Sequence, residues 1–253
     1  MTKFIAIIPA RYASTRFPGK PLALLEGKTI LQRVYERVMV VFDSVVVATD
    51  DERIANHVES FGGRVVMTGT HHQSGTDRCF EAYQKIGEQA DVVVNVQGDE
   101  PFIATSQLEQ LKACFSEATT QIATLIKPFT ESDSWESLSN PNTPKVVVND
   151  RFEAMYFSRS VIPFVRGVAQ NEWLQKHTFY KHIGLYAYRA EVLERLVTLP
   201  QSTYEKIESL EQLRWLQANY KIQTAITTEE TIGIDTPEDL ERAKAFLATS
   251  PTP

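Results

Sequence analysis

Phe4-Ile-Ala-Ile-Ile-Pro-Ala-Arg-Tyr-Ala-Ser-Thr-Arg-Phe-Pro-Gly-Lys-Pro21 opens with five apolar residues and passes directly into a loop carrying Arg11, Arg16 and Lys20. A continuous apolar run of this length reads as a strand buried on both faces. The pattern then repeats. Residues 44–48, 64–68 and 91–97 are strand-like, while 29–42, 51–61 and 75–87 carry apolar residues at helical spacing. Fully buried strands alternating with helices predict an α/β fold with a doubly wound, mostly parallel sheet. Ligands of such a sheet collect beyond the carboxyl ends of its strands. The loops at 9–20, 49–51, 69–78 and 97–101 are therefore where chemistry is expected.

The second half is less regular. Residues 145–148, 153–158 and 181–188 alternate like strands with one wet face, 209–218 reads as one amphipathic helix, 222–227 as a strand and 239–247 as a last helix. The chain is expected to be one domain over 1–253, with about 128–190 forming a smaller antiparallel lobe. That lobe would close over the sheet or pair with a second subunit. The 250–253 tail is expected to fray.

Composition narrows the class. A net charge of −6 argues against nonspecific binding to nucleic acid or anionic lipid. No apolar stretch approaches the roughly 18–20 residues that cross a bilayer, and the first apolar run lacks a cleavage pattern. A soluble, cytoplasmic protein is expected. Cys79 and Cys114 have no metal-ligand spacing and suit a reducing compartment. The adjacent His71 and His72 also lack Cys or His partners at zinc spacing and read as loop residues.

The first loop gathers three cations and the hydroxyls of Ser14 and Thr15 at a strand end, a combination suited to a triphosphate. It is not a Walker A loop, which would need glycine at Ser14 and Ser or Thr at Pro21. Nor does it hold the glycine fingerprint of dinucleotide folds, which disfavours a dehydrogenase. Gln97-Gly-Asp-Glu-Pro101 ends the fourth strand and places Asp99 where phosphates would lie. Glu100 should point the opposite way along an extended chain. Near the end of the chain, Thr236, Pro237 and Asp239 make a capping-box-like helix start, which leaves Asp235 free for another task.

The segment from Ile8 to Leu22 resembles the signature of the 3-deoxy-manno-octulosonate (KDO) cytidylyltransferases. The resemblance continues in order through Ser74-Gly-Thr-Asp-Arg78, Asn95-Val-Gln-Gly-Asp-Glu-Pro101, Tyr156-Phe-Ser-Arg159, His182-Ile-Gly-Leu-Tyr186, Leu210-Glu-Gln-Leu-Arg214 and Asp235-Thr-Pro-Glu-Asp239. It implies a nucleotide-diphospho-sugar-transferase-like fold and transfer of CMP from CTP to KDO, for lipopolysaccharide assembly. It implies Mg²⁺ on Asp99 and Asp235, with Arg11 and Lys20 as the catalytic cations. The nucleotide is expected at Ala10, Arg11, Ser14, Lys20, Ser74, Gly75 and Arg78, and the sugar at Gln97, Arg159, His182, Tyr186 and Glu211. Arg159 is expected to clamp the sugar carboxylate with two parallel bonds. The family is usually homodimeric. A modified octulosonate or a sialic acid is the rival substrate, a silent nucleotide-binding module the rival class. The number of metal ions and any side-chain base stay open. Phe17 stands where relatives often have leucine.

Overall fold

The computed structural model describes residues 2–230 and 233–249, so the 250–253 tail lies outside the described residues. The first elements are β1 (Phe4–Ala10), a small hairpin of β2 (Leu24–Leu25) and β3 (Lys28–Thr29), and α1 (Ile30–Met39). Next come β4 (Val45–Thr49), α2 (Glu52–Ser60), β5 (Val65–Met67), α3 (Gly75–Ile86), β6 (Val92–Asn95) and α4 (Thr105–Ala113). Then follow β7 (Ile122–Pro128), α5 (Trp135–Ser139), β8 (Lys145–Val148), β9 (Ala154–Ser158), α6 (Trp173–Lys176) and β10 (Tyr180–Arg189). The last are α7 (Ala190–Leu196), α8 (Thr203–Glu208), α9 (Gln212–Gln217), β11 (Ile222–Ile226) and α10 (Pro237–Thr249).

Two compact units divide the chain: one up to Glu109 and again from Glu230, the other Gln110–Glu229. The second is wider than the expected 128–190 lobe. In the first unit β1 pairs in parallel with β4, from Ala6↔Val45 to Ala10↔Thr49, and with β6, from Phe4↔Val92 to Ile7↔Asn95. β5 joins β4, also in parallel. All four strands therefore end on one edge, as the doubly wound reading requires. Ile5–Ile8, Val45–Val47 and Val92–Val94 are buried throughout, which is why these strands carry no alternation. The helices between them start on side-chain caps: Thr29 for α1, Asp51 for α2 and Ser74 for α3. No helix among the described residues is long and apolar enough to cross a membrane.

In the second unit β7 pairs antiparallel with β10 and parallel with β11, while β8 pairs antiparallel with β9 and β10. The helix expected over 209–218 starts later. Ser209 adopts left-handed geometry (φ 51°) and closes α8, and α9 then spans Gln212–Gln217. α8 opens on a capping box between Ser202 and Glu205. Glu205 also receives Arg214 through a fork at 2.8 and 2.5 Å, both side chains buried.

Candidate active site

The loop after β1 is held by its own sequence. Gly19 takes the left-handed conformation (φ 72°), and its amide donates to Tyr12 O at 2.9 Å. A Cβ on Gly19 would sit 3.0 Å from the Tyr12 ring, so glycine serves both the turn and the packing. Tyr12 in turn lies under the Arg53 guanidinium, 3.4 Å from the ring centroid, and Asp51 holds that guanidinium through Nε and Nη2. The turn delivers Lys20 inward with its side chain 13 % exposed, and leaves Arg11 and Arg16 outside. Ser14 Oγ accepts the Phe17 amide at 3.3 Å and closes the loop's first turn.

Lys20 Nζ donates to Asp99 Oδ2 at 2.6 Å and to Asp235 Oδ1 at 3.0 Å, and Arg16 Nη2 reaches Asp235 Oδ2 at 3.1 Å. Two carboxylates far apart along the chain thus share one ammonium. The backbone explains how. Ile234 N donates to Asp99 O at 2.9 Å, and Ile234 packs with Leu25, Ile30, Leu240 and Ala243 in a buried cluster. The expected capping box is present: Asp239 Oδ2 accepts the Thr236 amide and Thr236 Oγ1 accepts the Asp239 amide. It leaves the Asp235 carboxylate to the cleft. Burial opposes the Lys20 charge, but Asp99 and Asp235 outweigh it, so its pKa lies above the ordinary lysine value. Glu100 is not part of the cleft lining, and its Oε2 is buried without a hydrogen-bond partner. Burial first, then Asp99 and Asp235, push its pKa up to about 8, so it stays protonated at neutral pH. Gly98 allows the close approach of strand ends here, because a Cβ would lie 3.0 Å from Pro9 O.

The cleft bounded by these groups is also lined by Ala10, Arg11, Ser14, Ser74, Gly75, Arg78 and Gln97, so the structure gathers every expected nucleotide and metal residue, with Gln97, in one place. Ser74 caps α3 by accepting the Asp77 amide at 3.1 Å, which sets the positive end of that helix at the cleft wall. Arg78 is buried, with its guanidinium aimed by Thr68 Oγ1 at 2.6 Å and Asp50 Oδ2 at 2.8 Å. Sequence reasoning named Arg16 as a loop cation without placing it in the site, and it missed His72 and Gln73, which also line the cleft. The signal for these two was their place in a strand-end loop.

The other expected sugar residues belong to the second unit. His182 and Tyr186 would stand about 13 Å apart on a regular strand. A bulge between Ile183 and Tyr186 brings their rings to 5.3 Å. Thr124 Oγ1 lies 2.8 Å from Leu185 O, 3.1 Å from Ile183 O and 3.1 Å from His182 Nε2. With hydrogen on its Nε2, His182 donates to Thr124 and frees the hydroxyl proton for a carbonyl. Burial lowers the His182 pKa to about 3, which keeps the ring neutral. Burial, then Tyr188 and Glu211, raise that of Tyr186. Glu211 precedes α9, 3.9 Å from Arg214 Nη2. Arg159 is more committed than a carboxylate clamp implies. Its Nε, Nη1 and Nη2 donate to the carbonyls of Glu208, Pro141 and Ser209, which leaves one N–H on each terminal nitrogen.

A family model described as cytidylyltransferase matches residues 5–224. The chain belongs to the cytidylyltransferase family. It is 67 % identical over 249 residues to a protein of Parabacteroides distasonis named 3-deoxy-manno-octulosonate cytidylyltransferase, covering 98 % of this chain and 99 % of the relative. A protein of the same name from Bacteroides thetaiotaomicron is 62 % identical, over 97 % of this chain and 98 % of its own. Among solved structures, a CMP:2-keto-3-deoxy-manno-octonic acid synthetase complexed with CTP superposes with a TM-score of 0.89 at 42 % identity, covering 98 % of this chain and 99 % of the other. A 4-diphosphocytidyl-2C-methyl-D-erythritol synthase from Anaerococcus prevotii shares the fold at a TM-score of 0.61 and 16 % identity, covering 97 % of this chain and 99 % of that one.

Proposed function

We propose that this cytidylyltransferase transfers CMP from CTP to the anomeric hydroxyl of 3-deoxy-D-manno-octulosonate, releasing pyrophosphate and activating the sugar acid for lipopolysaccharide assembly. The observation that carries the reading is the pair of carboxylates clasping Lys20, on the loop that also carries Arg11 and Arg16. Relatives sharing well over half of their residues over nearly the whole chain support the choice of sugar and nucleotide.

Asp99 and Asp235 are the residues that would hold Mg²⁺, and their oxygen donors fit that ion. When bound, Mg²⁺ supplies neutralisation of phosphate charge. Arg11 and Lys20 hold the triphosphate and meet the charge that develops as the bond from the α-phosphorus to the leaving pyrophosphate breaks. Ala10, Ser14, Ser74, Gly75 and Arg78 fix the nucleotide. Gln97, Arg159, His182, Tyr186 and Glu211 take the sugar acid, with neutral His182 and Tyr186 offering hydrogen bonds without net charge. The sugar hydroxyl attacks the α-phosphorus in line with the leaving pyrophosphate, so orientation and charge carry most of the acceleration. No side-chain base is assigned. The enzyme works in the cytoplasm as a homodimer.

Pyrophosphate release with CTP, Mg²⁺ and the octulosonate tests the reading, with UTP and sialic acid as controls. Asp99→Asn should lower turnover about 10²-fold or more with an unchanged circular-dichroism spectrum. Release that ignores the sugar, or a fully active Asp99→Asn, would overturn it.

A further inference from the structure

The turn after β5 and the helix α3 bring two imidazoles and a carboxylate together, apart from the phosphate-facing carboxylates. One ligand-capable atom from each of His71, His72 and Glu81 lies within 4.8 Å of the others. Glu81 Oε2 bonds His72 Nε2 and accepts the Gly69 amide at 2.9 Å, while Oε1 holds the Lys85 ammonium at 2.6 Å. The two histidine rings lie 4.4 Å apart. Gly69 makes the room: a Cβ there would stand 2.4 Å from His71 Cε1 and 3.4 Å from Glu81 Oε2.

We propose that His71, His72 and Glu81 form a binding site for a divalent transition-metal ion of the zinc class, separate from Asp99 and Asp235. Two imidazole nitrogens and one carboxylate oxygen are a zinc-type donor set with a fourth position left for water, whereas Mg²⁺ prefers oxygen alone. Around a tetrahedral ion with bonds of about 2.0–2.1 Å, ligand atoms stand about 3.4 Å apart. Closing from 4.8 Å or less to that spacing asks for side-chain rotation, chiefly of the exposed His71. The Gly69 amide and Lys85 already orient the carboxylate from outside, as outer partners of metal ligands do. Zinc spacing rules miss this group because its third ligand is a carboxylate on a helix.

His72 also lines the nucleotide cleft, so an ion here would pin the turn carrying Gln73 and Ser74. By linkage, CTP and the ion then change each other's affinity by the same factor.

The full-length enzyme is titrated with Co²⁺ as a spectroscopic probe under excess Mg²⁺, followed by Zn²⁺ competition. One equivalent is expected to give the intense visible bands of a four-coordinate ion and to be displaced by Zn²⁺. His71→Ala and Glu81→Gln should each weaken binding at least about tenfold, and Asp235→Asn should leave it unchanged. His71 is exposed, so its variant should fold whether or not Glu81→Gln does. No bound Co²⁺ at one equivalent, undiminished binding in His71→Ala, or loss in Asp235→Asn instead would each overturn the site.

Discussion

Lys20→Met tests the shared ammonium directly, because it deletes the charge and keeps an unbranched stem of similar length. Two charge-assisted bonds, at 2.6 and 3.0 Å, disappear. Buried bonds of this type are worth about 1.5–3 kcal/mol each, but the Asp235 side chain is 47 % exposed. Exposed pairs contribute only about 0–1 kcal/mol. The ligand-free protein should therefore lose about 1–2 kcal/mol, or very roughly 2–8 °C in Tm. Metal binding should move the other way. A doubly charged ion about 4 Å from an ammonium is repelled by about 2 kcal/mol even in bulk water. Allowing for a lysine that can swing aside, Mg²⁺ affinity without nucleotide should rise on the order of tenfold. Turnover should fall about 10²–10³-fold, the usual cost of one lost charge-stabilising donor. Calorimetric titration with Mg²⁺ alone, beside pyrophosphate release, reads both arms. General misfolding cannot tighten metal binding while slowing the reaction. Mg²⁺ affinity that fails to rise would refute the shared-cation reasoning, and wild-type turnover would remove Lys20 from the phosphates.

Gly98→Ala forces a methyl to 3.0 Å from Pro9 O, so about 1–3 kcal/mol of stability should be lost. Activity should fall with it as the Asp99 strand end shifts; equal Tm and rate would show that the contact relaxes freely. Glu205→Ala leaves the buried Arg214 without its fork and should cost about 3–5 kcal/mol in urea unfolding. A loss below about 1 kcal/mol would mean that the pair behaves as an exposed one. His182, with its pKa lowered to about 3, stays neutral in the fold while the unfolded chain takes up a proton below about pH 6.5. The ring therefore costs no stability above that pH and costs progressively more down to about 3. His182→Gln, which can still donate to Thr124, should flatten the stability–pH slope in that window; an unchanged slope would place the proton uptake elsewhere.

The first unit was legible because its strands are buried on both faces, so apolar runs alternating with stretches of helical spacing gave the order of elements; the caps Thr29, Asp51 and Ser74 emerge only in the fold. β7 went unread although Ile122–Ile126 are as fully buried as β1, because Thr124 interrupts its apolar run and Lys127 and Pro128 follow it at once. α8 was missed because Tyr204 and Ile207 are 50 % and 74 % exposed, the reverse of the usual apolar face. In the site, the charges of Lys20, Asp99 and Asp235 were readable as residue types, and the capping box freed Asp235. The residues alone do not tell that they meet, since Lys20 reaches partners 79 and 215 residues away; the meeting of Asp99 and Asp235 was expected only through the family resemblance. Arg159 shows the converse: its type and the family resemblance suggest a clamp, while only the fold reveals the three carbonyls that it already serves.

The hydrogen bond from Ile234 to Asp99 also bears on how the enzyme comes into being on the ribosome. A nascent chain that has emerged as far as β11 already carries the loop of Arg11, Arg16 and Lys20 together with Asp99, yet only half of the carboxylate pair. The pair closes only when the stretch around Asp235 and α10 has been made, so a chain stopped short of it keeps Lys20 and Asp99 without their common partner and leaves Leu25 and Ile30 without Ile234, Leu240 and Ala243.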